Sequence, residues 1–296
     1  MSNKLFSGIM PALVSPFDAE GNFKRAACEK LIDHELAMGV DGFYINGATG
    51  EGVFLSEKCR MDLAETAMDK CKGKGKIINH IGAVDTMSAI RLAKHAGQIG
   101  CDAVSSLVPN YVYTYSEEEI LDYYKRIADA SGLPVLVYCT GLVKGNPYAF
   151  MKQAMKIDGV IGCKYTMFDY YSMQRITELN GGDINVINGP DEMLLLGLTM
   201  GADGGIGSTY NIMGKWYVEL YKAFRAGEYE KARALQIKIN KGITVILENG
   251  DCRQSIKVML NAQGLDVGYM AYPAKMYSEE KTAKMIADMK AVGVEF

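Results

Sequence analysis

"GVIGCKYT" (residues 159–166) reads as a buried strand that ends on a charge. Gly159 to Cys163 are small or apolar, and Lys164 follows directly. Lysine is among the side chains least often buried, so the strand raises the question of what its last residue does. Runs of the same kind recur on both sides of it: "GIMPALV" (8–14), "GFYIN" (42–46), "KIINHIG" (76–82), "AVSSLV" (103–108), "PVLVY" (134–138), "INVIN" (184–188) and "GGIGS" (204–208). Counted with "GVIGCK" (159–164), there are about eight, spaced by roughly 25–35 residues, the length of a βα unit.

Amphipathic stretches fill the gaps, among them "KRAACEKLIDHELAM" (24–38), "SEKCRMDLAETAMDKC" (56–71) and "SEEEILDYYKRIADA" (116–130). Ser56 and Ser116 are suited to N-cap two of them, with acids in the first turn. Short apolar runs with little alternation fit a parallel sheet covered by helices. Eight such units predict an α/β fold, a (β/α)8 TIM barrel, over an open doubly wound sheet. Periodicity does not show closure, so the open sheet is the competing arrangement. After about residue 227 the strand signal stops. "EYEKARALQIKINKGITVILEN" (228–249), "CRQSIKVMLNAQ" (252–263) and "YSEEKTAKMIADMKAV" (277–292) read as helices. The expected organisation is a barrel carrying the active site over residues 1–227 and a C-terminal helical extension packed on it over 228–296.

The bulk properties set limits. The chain has 296 residues, a formal net charge of −3, and 49% hydrophobic residues. No basic stripe invites nucleic acid. Lys70, Lys72, Lys74 and Lys76 read as a solvated helix end. The first residues do not read as a secretory signal, and no run approaches the length of a membrane span. The seven cysteines are odd in number and form no CxxC pair, which fits free thiols in the cytoplasm and suggests no metal site.

In a barrel of this kind, chemistry gathers where strands end. Lys164 ends the sixth strand. A lysine among apolar neighbours loses solvation in its charged form, and a neutral amine can attack a carbonyl to form a Schiff base. A structural lysine paired with a rim acid is the competing reading. "GATGEG" (47–52) follows the second strand. Its glycines allow close approach, and successive N–H groups leading into a helix hold an anion. No lysine follows the last glycine, so the loop is not a P-loop and suits a small carboxylate. An ordinary strand-to-helix loop competes.

Tyr138 ends the fifth strand and is placed to relay a proton, or simply to pack. Tyr111, Tyr113 and Tyr115 lie on the loop after the fourth strand, to cap a site or fill a subunit interface. Asp191 and Glu192 after the seventh strand, with Ser208 after the eighth, fit a polyol substrate, although acids also favour a helix N-terminus. His34, His80 and His95 fall in no motif and carry no assigned role.

Taken together, these residues resemble the Schiff-base class I aldolase family of (β/α)8 barrels that contains N-acetylneuraminate lyase and dihydrodipicolinate synthase. The resemblance spans nearly the whole chain, from "GIMPALVSPF" to the C-terminal helices. "GATGE" is similar to the family's carboxylate loop G-[ST]-T-G-E, "VYC" to its tyrosine motif, and "GCKYT" to its Schiff-base lysine. "GADGGIGSTYNIMG" (201–214) and "NGPDE" resemble the sialic acid lyase branch.

The resemblance implies an imine between Lys164 and the substrate's C2 ketone, with no diffusible cofactor and no metal. It implies that Ala48, Thr49 and Gly50 form the carboxylate loop and that Tyr138 moves the proton at the C4 oxygen and at the imine stage. Thr166, Gly189, Asp191, Glu192 and Ser208 would bind the sugar chain, and Tyr111 would reach across a dimer interface into a neighbouring site. The implied substrate is a 2-keto sugar acid, with N-acetylneuraminate the leading expectation, and the implied assembly is a homo-oligomer, usually a tetramer.

The chain departs from the family at three places. Ala48 lacks the loop's first hydroxyl. The usual Y-N-[IV]-P run is "YCTG". Val143 stands where dihydrodipicolinate synthase carries an arginine, which argues against that enzyme, although Lys144 is adjacent. A lyase or dehydratase of another 2-keto-3-deoxy sugar acid is therefore the alternative, and a non-catalytic sugar-acid-binding protein is the alternative of another class. A phosphate-binding barrel enzyme would use "DGGIGST", with Asp191 and Glu192 repelling the phosphate.

Overall fold

The computed structural model describes residues 4–109 and 111–295. Eight parallel strands alternate with helices. They are β1 (Gly8–Pro11), β2 (Gly42–Ile45), β3 (Lys76–His80), β4 (Ala103–Leu107), β5 (Val135–Cys139), β6 (Val160–Tyr165), β7 (Asn185–Asn188) and β8 (Gly204–Gly207). The intervening helices are α1 (Arg25–Ala37), α2 (Glu57–Cys71), α3 (Thr86–Gln98), α4 (Glu117–Ser131), α5 (Pro147–Ala154), α6 (Tyr170–Thr177), α7 (Leu194–Thr199) and α8 (Tyr210–Arg225). Hydrogen-bonded order runs β1-β8-β7-β6-β5-β4-β3-β2. Ala12 bridges Tyr44, and the Leu13 N–H donates to the Tyr44 carbonyl at 3.0 Å, so the two ends of the sheet meet. The fold is therefore a TIM barrel, and the open sheet is excluded. Regular pairing in β1 stops at Pro11, three residues before the apolar run does, because its partner β8 ends at Gly207, whose carbonyl accepts the Ala12 N–H at 2.9 Å.

Alternation along each strand separates two cores. Inside the barrel lie Met10, Tyr44, Ile78, Ala103, Leu136, Tyr138, Ile187 and Ile206. The neighbours Ile9, Phe43, Ile45, Ile77, Val104, Val137, Cys139, Cys163, Tyr165 and Val186 point outward and pack under the helices. The unbroken apolar runs in the sequence reflect this double burial. Cys163 and Tyr165 face out, so Lys164 between them faces in.

Ser56 accepts from the Cys59 N–H and Ser116 forms a reciprocal capping box with Glu119, as the sequence predicts. All seven cysteines are free, and six of them are buried. Beyond Arg225 the chain turns at Gly227 (φ +78) and continues as α9 (Tyr229–Asn249), α10 (Cys252–Ala262) and α11 (Glu279–Ala291). Helix α9 packs along α8. Among the described residues, no helix is long and apolar enough to cross a membrane.

Candidate active site

Strand register brings the two central groups together. Tyr138 on β5 is the direct partner of Lys164 on β6, and both side chains enter the barrel at the C-terminal ends of their strands. Lys164 is 5% exposed. Its Nζ sits 4.4 Å from the centre of the Tyr44 ring and 4.2 Å from that of Tyr138. Ring faces attract an ammonium but offer the amine no acceptor oxygen. Among the described residues, no carboxylate forms an ion pair with it, so the rim-acid reading of Lys164 fails.

Two groups with no earlier assignment complete this wall. Tyr44 lies inside the barrel because Phe43 and Ile45 face outward, and its hydroxyl donates to Ser105 Oγ at 3.1 Å. Its phenol is pushed well above the usual range, chiefly by burial. His80, two residues beyond the inward-facing Ile78, meets the Tyr138 ring edge-on with centroids 6.2 Å apart. The Leu107 N–H donates to its Nε2 at 3.2 Å, so Nδ1 carries the hydrogen that reaches the Asn46 carbonyl at 3.1 Å. Burial first, then the Arg60 charge, lowers its pKa to about 3. His80 is thus a neutral strut that orients Tyr138 and the loop after β2. The sequence signal was strand parity, since no motif marks either residue.

The loop at 47–52 has the geometry of an anion cradle. Asn46 (φ +58) and Glu51 (φ +55) hold left-handed backbone on either side of it, a conformation that costs about 1–2 kcal/mol in a non-glycine residue. The Glu51 N–H closes a turn on the Ala48 carbonyl at 3.0 Å, and Ser15 Oγ donates to the Gly50 carbonyl at 2.6 Å. A Cβ at Gly50 would stand 2.8 Å from the Leu13 carbonyl oxygen, so only glycine lets the loop lie this close to the chain after β1. Among the described residues, no acceptor takes the backbone N–H groups of Ala48, Thr49 or Gly50. Successive free N–H groups of this kind bind a carboxylate.

Thr49 Oγ1 lies 2.6 Å from Ser208 Oγ, which joins the cradle to the end of β8. It does not hydrogen-bond Tyr138. Asp191 is turned toward β8 as well. Its Oδ2 accepts from the Thr209 N–H and from the Thr209 hydroxyl, each at 2.7 Å. Burial, against those bonds, raises its pKa to about 6. A Cβ at Gly207 would stand 2.0 Å from Asp191 Oδ1. The N–H most useful to a phosphate after β8 is therefore occupied by a carboxylate, which removes the phosphate-barrel reading. Asp191 and Glu192 do stand in the first turn of a short 3-10 helix (Asp191–Met193), as the competing reading held, and the Asp191 carboxylate also braces the start of α8. Glu192 beside it is half-buried.

Gly189 and Thr166 stand against each other. A Cβ on Gly189 would stand 1.8 Å from Thr166 Oγ1, and that hydroxyl is enclosed with no hydrogen-bond partner among the described residues. Tyr111 is in a similar condition. Its hydroxyl is enclosed with no partner among the described residues, and burial raises it to about 12 despite the nearby Arg60 guanidinium. Tyr111 also lies within electrostatic reach of Tyr44 and Tyr138.

Residues 5–292 match the model of the Dihydrodipicolinate synthetase family. The N-acetylneuraminate lyase of Citrobacter koseri is 38% identical over 257 residues, 86% of this chain and 86% of that protein. Two solved structures superpose over almost the entire fold. The Proteus mirabilis N-acetylneuraminate lyase has a TM-score of 0.93 and 29% identity, covering 99% of this chain and 100% of that one. A Ruminococcus gnavus sialic acid aldolase, described as a catalytic lysine mutant, has a TM-score of 0.90 and 28% identity, covering 97% of each chain. By its sequence match over most of its length, this chain belongs to the dihydrodipicolinate synthetase family.

Proposed function

We propose that this protein is a Schiff-base aldolase that reversibly cleaves N-acetylneuraminate to N-acetylmannosamine and pyruvate. The observation that carries the reading is Lys164, enclosed by two tyrosine rings, with no ion-paired carboxylate among the described residues, and directly beside Tyr138 in register. The relatives named above act on sialic acid by their descriptions, and the residues here fit that chemistry.

The substrate carboxylate sits on the N–H groups of Ala48, Thr49 and Gly50, which brings the C2 ketone to Lys164. In its neutral form the amine adds to C2, Tyr138 protonates the departing hydroxyl so that it leaves as water, and a protonated imine and the Tyr138 phenolate result. Tyr138 takes the proton from the C4 hydroxyl as the C3–C4 bond breaks. The bonding pair moves to the imine as an enamine, and C4 departs as the aldehyde of N-acetylmannosamine. Tyr138 gives that proton to C3, and addition of water to the imine then releases pyruvate and returns the amine and the phenol. The imine supplies the electron sink, so the reaction needs no diffusible cofactor. Thr166, Gly189, Asp191, Glu192 and Ser208 line the side on which the sugar chain extends.

Ala48 and the Thr49–Ser208 contact support the second reading, another 2-keto-3-deoxy sugar acid, because the hydroxyl pattern beside the carboxylate differs from the family's. A product assay separates the two. N-acetylneuraminate is expected to release equimolar pyruvate and N-acetylmannosamine. Pyruvate from a shorter 2-keto-3-deoxy sugar acid alone would reject the assignment and leave the fold standing.

The assembly we propose is a homotetramer. Val84, Met87, Val112 and Tyr113 are exposed, and Val84 lines one cavity with Pro109 and Tyr115 of the loop that carries Tyr111, so apolar surface is on offer there for a second copy. The free thiols support a cytoplasmic setting.

A further inference from the structure

The loop that presents the N–H cradle is fastened from outside the barrel. Glu51 is 1% exposed and Lys257, on α10, is 0% exposed, and Lys257 Nζ stands 2.9 Å from Glu51 Oε1. Glu51 Oε2 accepts the Ala271 N–H at 2.9 Å. Lys257 Nζ also donates to the Tyr269 carbonyl and lies 3.6 Å from the centre of the Phe17 ring. The segment at 268–271 is itself docked on the barrel, where the Tyr269 N–H donates to the Phe17 carbonyl at 3.1 Å.

A buried ion pair is weak evidence for stability, since burying two charges costs about as much as their attraction returns. Burial has already drawn Lys257 down to about 8. What such a pair does well is fix position, because either charge left alone is costly. Here it fixes a residue with left-handed backbone whose N–H closes the turn on Ala48.

We infer that Lys257 is a positioning residue of the carboxylate cradle: through Glu51 it holds the Ala48, Thr49 and Gly50 N–H groups in line for the substrate's carboxylate. The C-terminal helices thereby take part in substrate binding without touching the substrate. This rests on the aldolase reading of the site, so its test separates the two.

Borohydride trapping on the full-length protein is compared for pyruvate and for hydroxyacetone, a neutral ketone without a carboxylate. Lys257→Met is expected to raise the half-saturating pyruvate concentration about tenfold, the loss of one well-aligned charged contact, and to leave hydroxyacetone within about twofold. Unchanged pyruvate capture, or equal losses for both ketones, would overturn the inference. If Lys257→Met does not fold, the double variant Glu51→Gln/Lys257→Met leaves no lone buried charge. It is expected to show the same pyruvate-specific weakening, and wild-type capture by it would overturn the inference equally. If the wild-type protein traps neither ketone, the aldolase reading falls and hydrogen exchange decides. Faster exchange of the 47–52 amides in the variant supports the tether, and unchanged exchange removes it.

Discussion

Lys164 and Tyr138 face each other because two strands with the same parity lie side by side. Cys163, Tyr165, Val137 and Cys139 point out to the helices, which leaves the two polar side chains no direction but inward. Tyr138 takes no hydrogen bond from Thr49 here, and His80 holds its ring from the edge. A proton-transfer role for Tyr138 predicts a specific split in behaviour. Tyr138→Phe is expected to lower kcat for cleavage by about 10²–10⁴-fold while Lys164 still forms a trappable imine with pyruvate. Cleavage at the wild-type rate would remove Tyr138 from the mechanism. Lys164, Tyr138 and the 47–52 loop were legible in the sequence because each ends an apolar run. Tyr44 and His80 were not, because each occupies a position where any core residue would satisfy the pattern. Asp191 was legible as a site residue, but its bonds to Thr209, 18 residues further on, depend on how closely Gly207 lets it approach.

At the scale of elements, the caps and apolar stripes of the sequence locate every helix named from it to within a residue or two. Helix α1 carries one exception to its own stripe. Cys28, Leu31, Ile32 and Glu35 share the buried face, and both carboxyl oxygens of Glu35 are enclosed with no partner among the described residues. Burial holds its pKa well above the ordinary 4.5. A group raised in this way adds stability that is fully present below about pH 4.5 and is lost as the pH climbs through the folded-state value. At pH 7 the wild-type protein therefore carries the penalty. Glu35→Met is expected to stabilise the protein at pH 7 by about 1–3 kcal/mol in urea unfolding, with the gain shrinking toward pH 4. A loss of stability on substitution would show that Glu35 has a partner the fold requires.

For the molecule as a whole, strand count and spacing indicated a barrel, and closure depended on a contact no periodicity encodes, the Ala12–Tyr44 bridge. The three helices after Gly227 were legible as helices. Their fastening to the 47–52 loop through Glu51 and Lys257 was not, since the two residues lie far apart in the chain and only folding brings them together. Assembly belongs to this scale too. Light scattering is expected to give a mass near four chains, and Tyr113→Glu is expected to shift it to smaller species by placing a charge in the apolar surface. A monomeric wild-type protein would contradict the proposed tetramer. The central claim is the imine at Lys164. Incubation with saturating pyruvate and borohydride, followed by peptide mass analysis, is expected to place one stable reduced pyruvate adduct on the peptide that contains Lys164. An unmodified Lys164 peptide, or an adduct on a different lysine, would contradict the account.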